Sequence, residues 1–208
     1  MTGTILIADD HPLFRQALAM AASAVRPAAR IVESANLMAA LNEAAVADDL
    51  ILILLDLKMP GAEGYSGVAL LHSEKPGVPI LVVSSADASQ AARNAVRFGA
   101  VGFLGKDAGL SAIEAAITDA LAGKRIEVPK DDVIDPVAAQ IASLTPTQLK
   151  VLLGVMEGRL NKQIAYDLGI SEATVKAHMT SILKKLDVQN RTQAVLAAKA
   201  LGINLVHA

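Results

Sequence analysis

Five groups spread over 208 residues have the chemistry to act as one: Asp9, Asp10, Asp56, a hydroxyl from Ser84 or Ser85, and Lys106. Each lies at the end of a short apolar run: Thr4–Ala8 before the aspartate pair, LILILL at 50–55 before Asp56, 79–84 at the serine pair, and 101–104 before Lys106. Three carboxylates in one crevice repel unless a cation joins them, and hard oxygen donors with room for water suit Mg²⁺. Adding an ammonium and a hydroxyl makes a receptacle for the oxygens of a phosphoryl group. Asp56 is then the nucleophile that carries the group as an acyl phosphate. Taken singly, the same residues have plainer uses. Asp9 and Asp10 cap a helix, Asp56 bonds its own turn, Ser84 and Ser85 form a turn, and Lys106 is a solvated charge. Everything depends on whether the chain brings the five together.

The elements that would do so alternate. Residues 50–55 are apolar on both faces and run into Pro60-Gly61, as a central parallel strand covered by helices requires. Strands are expected at 4–8, 30–33, 50–55, 79–84 and 101–104. Helices are expected after Asp10-His11-Pro12 (with Leu13, Ala17, Met20 and Ala24 at helical spacing) and over 37–47, from 64–67 to 76–77, 89–98 and 110–122. Five such units predict a doubly wound five-stranded parallel sheet in the order 2-1-3-4-5. Its switch point lies between strands one and three, which sets Asp9 and Asp10 beside Asp56.

Composition bounds the function classes. The chain is 53% hydrophobic and 2% aromatic, which predicts aliphatic cores of helices on a sheet. No window approaches the ~18 uncharged apolar residues of a membrane span, and no basic leader precedes an apolar run, so no membrane is expected and the cytoplasm is the expected compartment. The absence of cysteine excludes disulfides and thiolate metal sites. Charge is divided. From Leu144 onward there are eight Lys/Arg and four Asp/Glu, a net of +4; the totals of 19 and 21 leave 11 basic and 17 acidic residues before it, a net of −6. An acidic front and a basic tail predict two domains, the second facing a polyanion.

Residues 3–123 resemble the receiver domain of two-component response regulators. The matching pieces are ILIADDHPLF (5–14), LDLKMPG (55–61), VVSSA (82–86) and GFLGKD (102–107). The resemblance implies that Asp56 is phosphorylated by a sensor histidine kinase. It also implies that Asp9, Asp10, Asp56 and the backbone carbonyl of Lys58 hold Mg²⁺, that Lys106 pairs with the phosphoryl group, and that Ser85 and Phe103 are the switch hydroxyl and aromatic. An enzyme of the haloacid-dehalogenase kind would need an acid two residues after Asp56, where Lys58 stands. Beyond its own phosphoryl transfer and dephosphorylation, no enzymatic activity is expected.

Two prolines and dense charge after Gly123 mark a linker over 124–143, with a short helix from 136. Beyond it, Thr145, Pro146 and Gln148 spell a capping box with Pro at the first helical position, and Leu144 and Leu149 suit the hydrophobic staple. Asn161 is expected to cap a second helix and Ser171 a third, 172–186, with Gly turns between; this is a helix-turn-helix, a second, smaller all-α domain over 144–208. Along the third helix Val175, Met179, Ile182, Leu183 and Leu186 form a core stripe. The opposite face carries Ala173, Lys176, Ala177, Thr180 and Lys184, small and basic without an acid, which admits close approach to a DNA major groove.

Residues 144–206 resemble the LuxR-type helix-turn-helix of the NarL/FixJ class, on LTP (144–146), NKQIA (161–165), ISEATVKAH (170–178) and KLDVQNRTQA (185–194). The resemblance implies groove contacts from Lys176 and Ala177, phosphate contacts from Thr174, Asn161 and Lys162, and a homodimer through the last helix on paired half-sites of double-stranded DNA. Two positions depart from the pattern: Thr180, often basic in the family, and Gln148, usually Glu, where an ion pair is expected to be lost. Together these features predict a DNA-binding regulator controlled at Asp56. The alternative is a phosphorylation-independent regulator whose receiver is a protein-interaction scaffold.

Overall fold

A computed structural model describes residues 3–85, 88–124, 140–141, 143–200 and 203–204. The amino-terminal part alternates strands and helices: β1 (Thr4–Ala8), α1 (Pro12–Val25), β2 (Arg30–Ser34), α2 (Leu37–Val46), β3 (Leu50–Leu55), β4 (Glu63–Gly64), α3 (Ser66–Glu74), β5 (Ile80–Ser84), α4 (Ala88–Arg97), β6 (Gly102–Gly105) and α5 (Leu110–Leu121). Five strands form one parallel sheet in the order β2-β1-β3-β5-β6. With the two-residue β4 set aside, this is the expected 2-1-3-4-5. Because successive strand side chains alternate faces, the sheet feeds two cores. Ile5, Ile7, Leu52, Leu54, Leu81 and Val83 pack against α1 and α5. Leu6, Ile53, Leu55, Ile80 and Val82 lie on the other face with α2, α3 and α4.

In α1 two expectations fail in detail. In α1 the buried residues are Leu18, Ala21 and Ala22, whereas Leu13, Met20 and Ala24 are exposed. An Ala-rich helix offers several apolar faces at helical spacing, and the one carrying Phe14, Leu18 and Val25 wins because it meets the sheet. The cap of α1 is His11 and not Asp10. Asp9 Oδ1 accepts the His11 N–H at 2.8 Å, which moves the helix start one residue along and leaves Asp10 outside it.

The carboxy-terminal part consists of α6 (Pro146–Met156), α7 (Asn161–Asp167), α8 (Glu172–Lys185) and α9 (Arg191–Ala200), followed by β7 (Ile203–Asn204). The capping box at α6 is complete: Thr145 N–H donates to Gln148 Oε1 at 3.1 Å and Gln148 N–H to Thr145 Oγ1 at 3.3 Å. Leu144 and Leu149, flanking it, are both buried. Ser171 caps α8 through Thr174 N–H. At α7 the cap is Leu160 and Asn161 is the first helical residue; Gln163 Oε1 reaches back to the Leu160 N–H at 2.7 Å, and the side chain of Asn161 is taken by Arg191 at 3.1 Å. Of the linker and its short helix, residues 124, 140, 141 and 143 are described, 140 and 141 being helical; 125–139 and 142 lie outside the described residues.

The two parts are packed together. Leu37, Leu41 and Leu70 from α2 and α3 face Leu153, Ile164 and Leu168 across a crevice of about 370 Å³. Buried residues of the α2–α3 side continue into those of α6, α7 and α8 as one apolar cluster. Glu74 and Lys150 pair at 3.7 Å over the junction, and β7 pairs antiparallel with β4, in the loop that follows Asp56. No helix among the described residues is long and apolar enough to cross a membrane.

Gln148 replaces the expected acid without losing its partner. Its Nε2 donates to Ser181 Oγ at 2.9 Å and its Oε1 accepts from Lys185 Nζ at 2.9 Å, so one buried amide ties α6 to α8. The Gln148→Ala variant removes both bonds and the capping bond to the Thr145 N–H, leaving Lys185 Nζ with Ser143 O at 2.8 Å, and is expected to destabilise the helical domain by about 1–3 kcal/mol. Urea unfolding followed by far-ultraviolet circular dichroism reads this directly, and an unchanged midpoint would contradict the tie.

Candidate functional site

The ends of β1, β3 and β6 converge on one crevice. β1 hydrogen-bonds to β3, and the ladder continues one residue further through Asp56 N–H to Ala8 O at 2.8 Å, which fixes Asp56 beside Asp9. Both carboxylates are almost wholly buried, at 0% and 2% exposure, and Asp10 is half-buried. Lys106, held where β6 ends by its N–H to Ser84 O at 3.1 Å, reaches back across the sheet edge. Its Nζ stands 2.7 Å from Asp9 Oδ2 and 2.7 Å from Asp56 Oδ2. Asp56 Oδ1 accepts the Lys58 N–H at 3.1 Å, so the turn after β3 holds the other oxygen in place.

The electrostatics are those of a charge cluster short of cations. One ammonium faces three carboxylates, a surplus of two negative charges. Asp9 Oδ2 and Asp10 Oδ1 are buried, with Lys106 Nζ and His11 Nδ1 respectively at 2.7 Å as their ion-pair partners. The donors are hard oxygens, which fits a divalent cation of the Mg²⁺ class.

Of the expected site residues, Asp9, Asp10, Asp56 and Lys106 are brought together, and Lys58 adjoins them through its N–H. Ser85 is exposed at the carboxy-terminal end of β5, while its neighbour Ser84 is fully buried, its hydroxyl without a hydrogen-bond partner. Phe103 is buried in β6 opposite Val82, on the α2–α4 side of the sheet. Three residues of the crevice were not singled out from the sequence. His11 Nδ1 lies 2.7 Å from Asp10 Oδ1 and 3.5 Å from Lys106 Nζ. Phe14 places its ring under the Lys106 ammonium, 4.9 Å from centroid to Nζ. Arg15 donates to Asp9 O at 2.7 Å while pairing with Glu33. Their signal was adjacency: all lie within five residues of Asp10, at the cap and first turn of α1.

The second site is a surface. Ala173, Lys176, Ala177, Thr180 and Lys184 are all exposed on α8, opposite the buried Val175, Ile182 and Leu186. Lys176 leans on Glu172 at 3.2 Å, an exposed pair within one helix turn, and Thr180 Oγ1 donates to Lys176 O. Lys162 is exposed on α7 and Thr174 is half-buried at the start of α8. The docked α2–α3 side does not cover this face.

Comparison with known proteins accounts for both regions. Residues 5–118 match the family model described as response regulator receiver domain, and residues 142–198 match bacterial regulatory proteins, luxR family. The chain is similar to the glycerol metabolism activator of Pseudomonas putida, 41% identical over 208 residues that span 93% of this chain and 94% of the relative. It is 30% identical to the nitrate/nitrite response regulator protein NarP of Escherichia coli, with 92% of each chain covered. Its fold is similar to that of the RcsB response regulator of Salmonella typhimurium, at a TM-score of 0.54 and 20% identity, over 96% of this chain and 98% of that one.

Burial works to lower the Lys106 pKa, but the hydrogen bonds and charges of Asp56 and Asp9 outweigh it and raise the ammonium above its ordinary 10.5. A raised folded-state pKa stabilises the fold fully below the unfolded value and loses that contribution as pH climbs through the folded one. The stability gap between wild type and Lys106→Met is therefore expected to hold steady up to pH 10.5 and to narrow above it. Urea melts of the two proteins over that range test this, and a gap that narrows near neutrality would contradict the pairing.

Proposed function

This chain belongs to the response regulators in which a receiver domain precedes a LuxR-type helix-turn-helix, and from that premise we propose that Asp56 is the phosphoacceptor of a DNA-binding transcription regulator. The observation that carries the reading is the bridge from Lys106 to both buried carboxylates, 2.7 Å to each. A nucleophile in such a site needs one oxygen positioned and its charge partly neutralised, and the Lys58 N–H and the ammonium do this for Asp56.

In the proposed reaction a sensor histidine kinase presents a phosphohistidine. A carboxylate oxygen of Asp56 attacks phosphorus, the O–P bond forms, and the P–N bond to the imidazole breaks. Asp9, Asp10, Asp56 and the carbonyl of Lys58 would hold Mg²⁺, whose charge would help neutralise the phosphoryl oxygens. Lys106 moves from carboxylate to phosphoryl oxygen, and Ser85, exposed at the strand end, turns in to donate a hydrogen bond. Phe103 fills the space that this turn vacates. Charge-assisted hydrogen bonds of this kind are worth about 1.5–3 kcal/mol each, comparable with the 1–3 kcal/mol of typical allosteric couplings.

The loop carrying the phosphoryl group runs from Asp56 through β4 into α3, the helix that packs on the DNA-binding domain. A shift of that loop therefore acts on the packing of the two domains. In the released form Lys176, Ala177, Thr180 and Lys184 meet the major groove, while Thr174, Asn161 and Lys162 meet phosphates. Leu196, exposed at 61% on α9, then forms a homodimer seam, which would place two half-sites about one helical turn apart.

The experiment is a gel shift on the upstream region of the regulator's own gene, with and without acetyl phosphate and Mg²⁺. Acetyl phosphate is expected to raise the affinity of wild type about 5–150-fold, the span of typical coupling energies, and to leave Asp56→Asn unmoved. Equal binding by both proteins under all conditions would assign the receiver a docking role instead.

A further inference from the structure

The crevice between the two domains is an apolar trough whose two ends differ in charge. Its long walls are helical stripes: Leu37, Leu41 and Ala45 on α2, and Lys150 and Leu153 on α6 with Glu157 at its cap. Spacings of three and four residues keep each stripe on one face, and at about 1.5 Å per residue the walls run about 10–12 Å. Leu70, Ile164 and Leu168 complete an aliphatic lining. The volume, about 370 Å³, falls within the roughly 300–1,000 Å³ of small-molecule sites, which favour domain junctions. At the lip stands Met38, an adaptable apolar side chain that is 67% exposed.

The rim decides what such a trough can hold. At one end Arg159 pairs with both Glu157 and Asp167, which leaves a surplus of one negative charge. Lys150 lies seven residues back along α6, at the other end. Its ion pair with Glu74 is loose, with Nζ at 3.7 Å and beyond hydrogen-bond reach. Because α2 and α3 both cross over between parallel strands on one face of the sheet, they run in the same sense. Asn42, late in α2, therefore comes to the same end as Glu74, late in α3, and its exposed amide adds a second donor there.

We propose that this trough binds an amphipathic monocarboxylate, a fatty acid of medium length, and that the bound molecule holds the two domains together. Its carboxylate meets Lys150 and Asn42, and its chain lies along Leu41, Leu70, Leu153 and Ile164. The surplus negative charge at the far end repels the head group and fixes the orientation. Burial of the chain supplies the affinity, and charge-assisted bonds at Lys150 select the head group. The walls come from α2 and α3 on one side and from α6 and α7 on the other, so the molecule fits only while the domains are packed. A ligand that binds one arrangement stabilises it by mass action. The proposal rests on the reading that phosphorylation of Asp56 loosens this packing, which a bound carboxylate would oppose.

The test is isothermal titration calorimetry of the full chain with decanoate, kept below its micellar concentration, and with decanol, in the absence of phosphodonor and DNA. One saturable decanoate site per chain is expected, with decanol about tenfold weaker because it lacks the charge. Lys150→Gln is expected to weaken decanoate about tenfold and to leave decanol unchanged. Ala45→Trp changes an exposed position and sets a ring in the trough; it is expected to lose both ligands, with circular dichroism confirming its fold. No saturable decanoate binding by wild type, decanol bound as tightly as decanoate, or wild-type affinity in Ala45→Trp would each overturn the site. In a gel shift with acetyl phosphate, decanoate at about 100 times its Kd is expected to lower the DNA affinity of wild type by up to about 100-fold and to leave Ala45→Trp unmoved. Decanoate that binds without changing DNA affinity would overturn its hold on the domains. A phosphodonor without effect when decanoate is absent would instead count against the reading of Asp56, and the calorimetry would still decide the site.

Discussion

Two buried carboxylates sharing one ammonium is the constraint on which the rest of this structure turns. Asp9 and Asp56 are out of water and side by side because β1 and β3 are neighbours. Buried like charges are expensive unless they are paired, so the carboxy-terminal edge of the sheet is viable only with Lys106 delivered from β6 to meet them. That delivery requires β5 and β6 in their observed order, since β5 positions the Lys106 backbone through Ser84. The parallel sheet, its two apolar faces and its five helices can be understood as the scaffold for this one ion triad. Pairing by one cation still leaves the cluster negative, and the proposed divalent ion and phosphoryl chemistry at Asp56 rest on this residual charge.

The parts of this arrangement differ in how readily they could be read from the chain. Residues 50–55 were legible because a run apolar on both faces has one good solution, a central parallel strand. The capping box at Thr145 and Gln148 was legible because it is local: four residues determine both bonds. The exposed face of α8 was legible by period alone. Side-chain reach was not. Whether His11 turns toward Asp10 or toward solvent is set by a rotamer and by the pinning of its backbone, and neither leaves a periodic trace. In α1 the sequence offers several apolar stripes, and the sheet alone chooses among them. β4 and β7 have two residues each, too short for any alternation to register.

The junction between the two domains was equally hidden, for a related reason. Leu70, Leu153 and Ile164 look like ordinary core residues of their own domains, and nothing in their spacing reveals that they face each other. Yet this apolar contact, with the pairing of β4 and β7 and the Glu74–Lys150 pair, links the loop beyond Asp56 to α6 and α9. The exposed ion pair contributes little in energy, about 0–1 kcal/mol; the apolar contact and the strand pairing are what hold the junction. In the proposed switch, charge-assisted bonds at a phosphorylated Asp56 act on this contact through the loop between them.

The most direct test of this coupling is amide hydrogen exchange on the full chain, with and without beryllofluoride and Mg²⁺ as a stable mimic of the phosphorylated state, beside Asp56→Asn. Faster exchange is expected in β4, the first turn of α3 and the start of α6 of wild type, with α8 unchanged and the variant indifferent. Exchange that slows around Asp56 but stays the same in α3 and α6 would mean that the pocket closes without reaching the DNA-binding domain, and the proposed link between the two would be wrong.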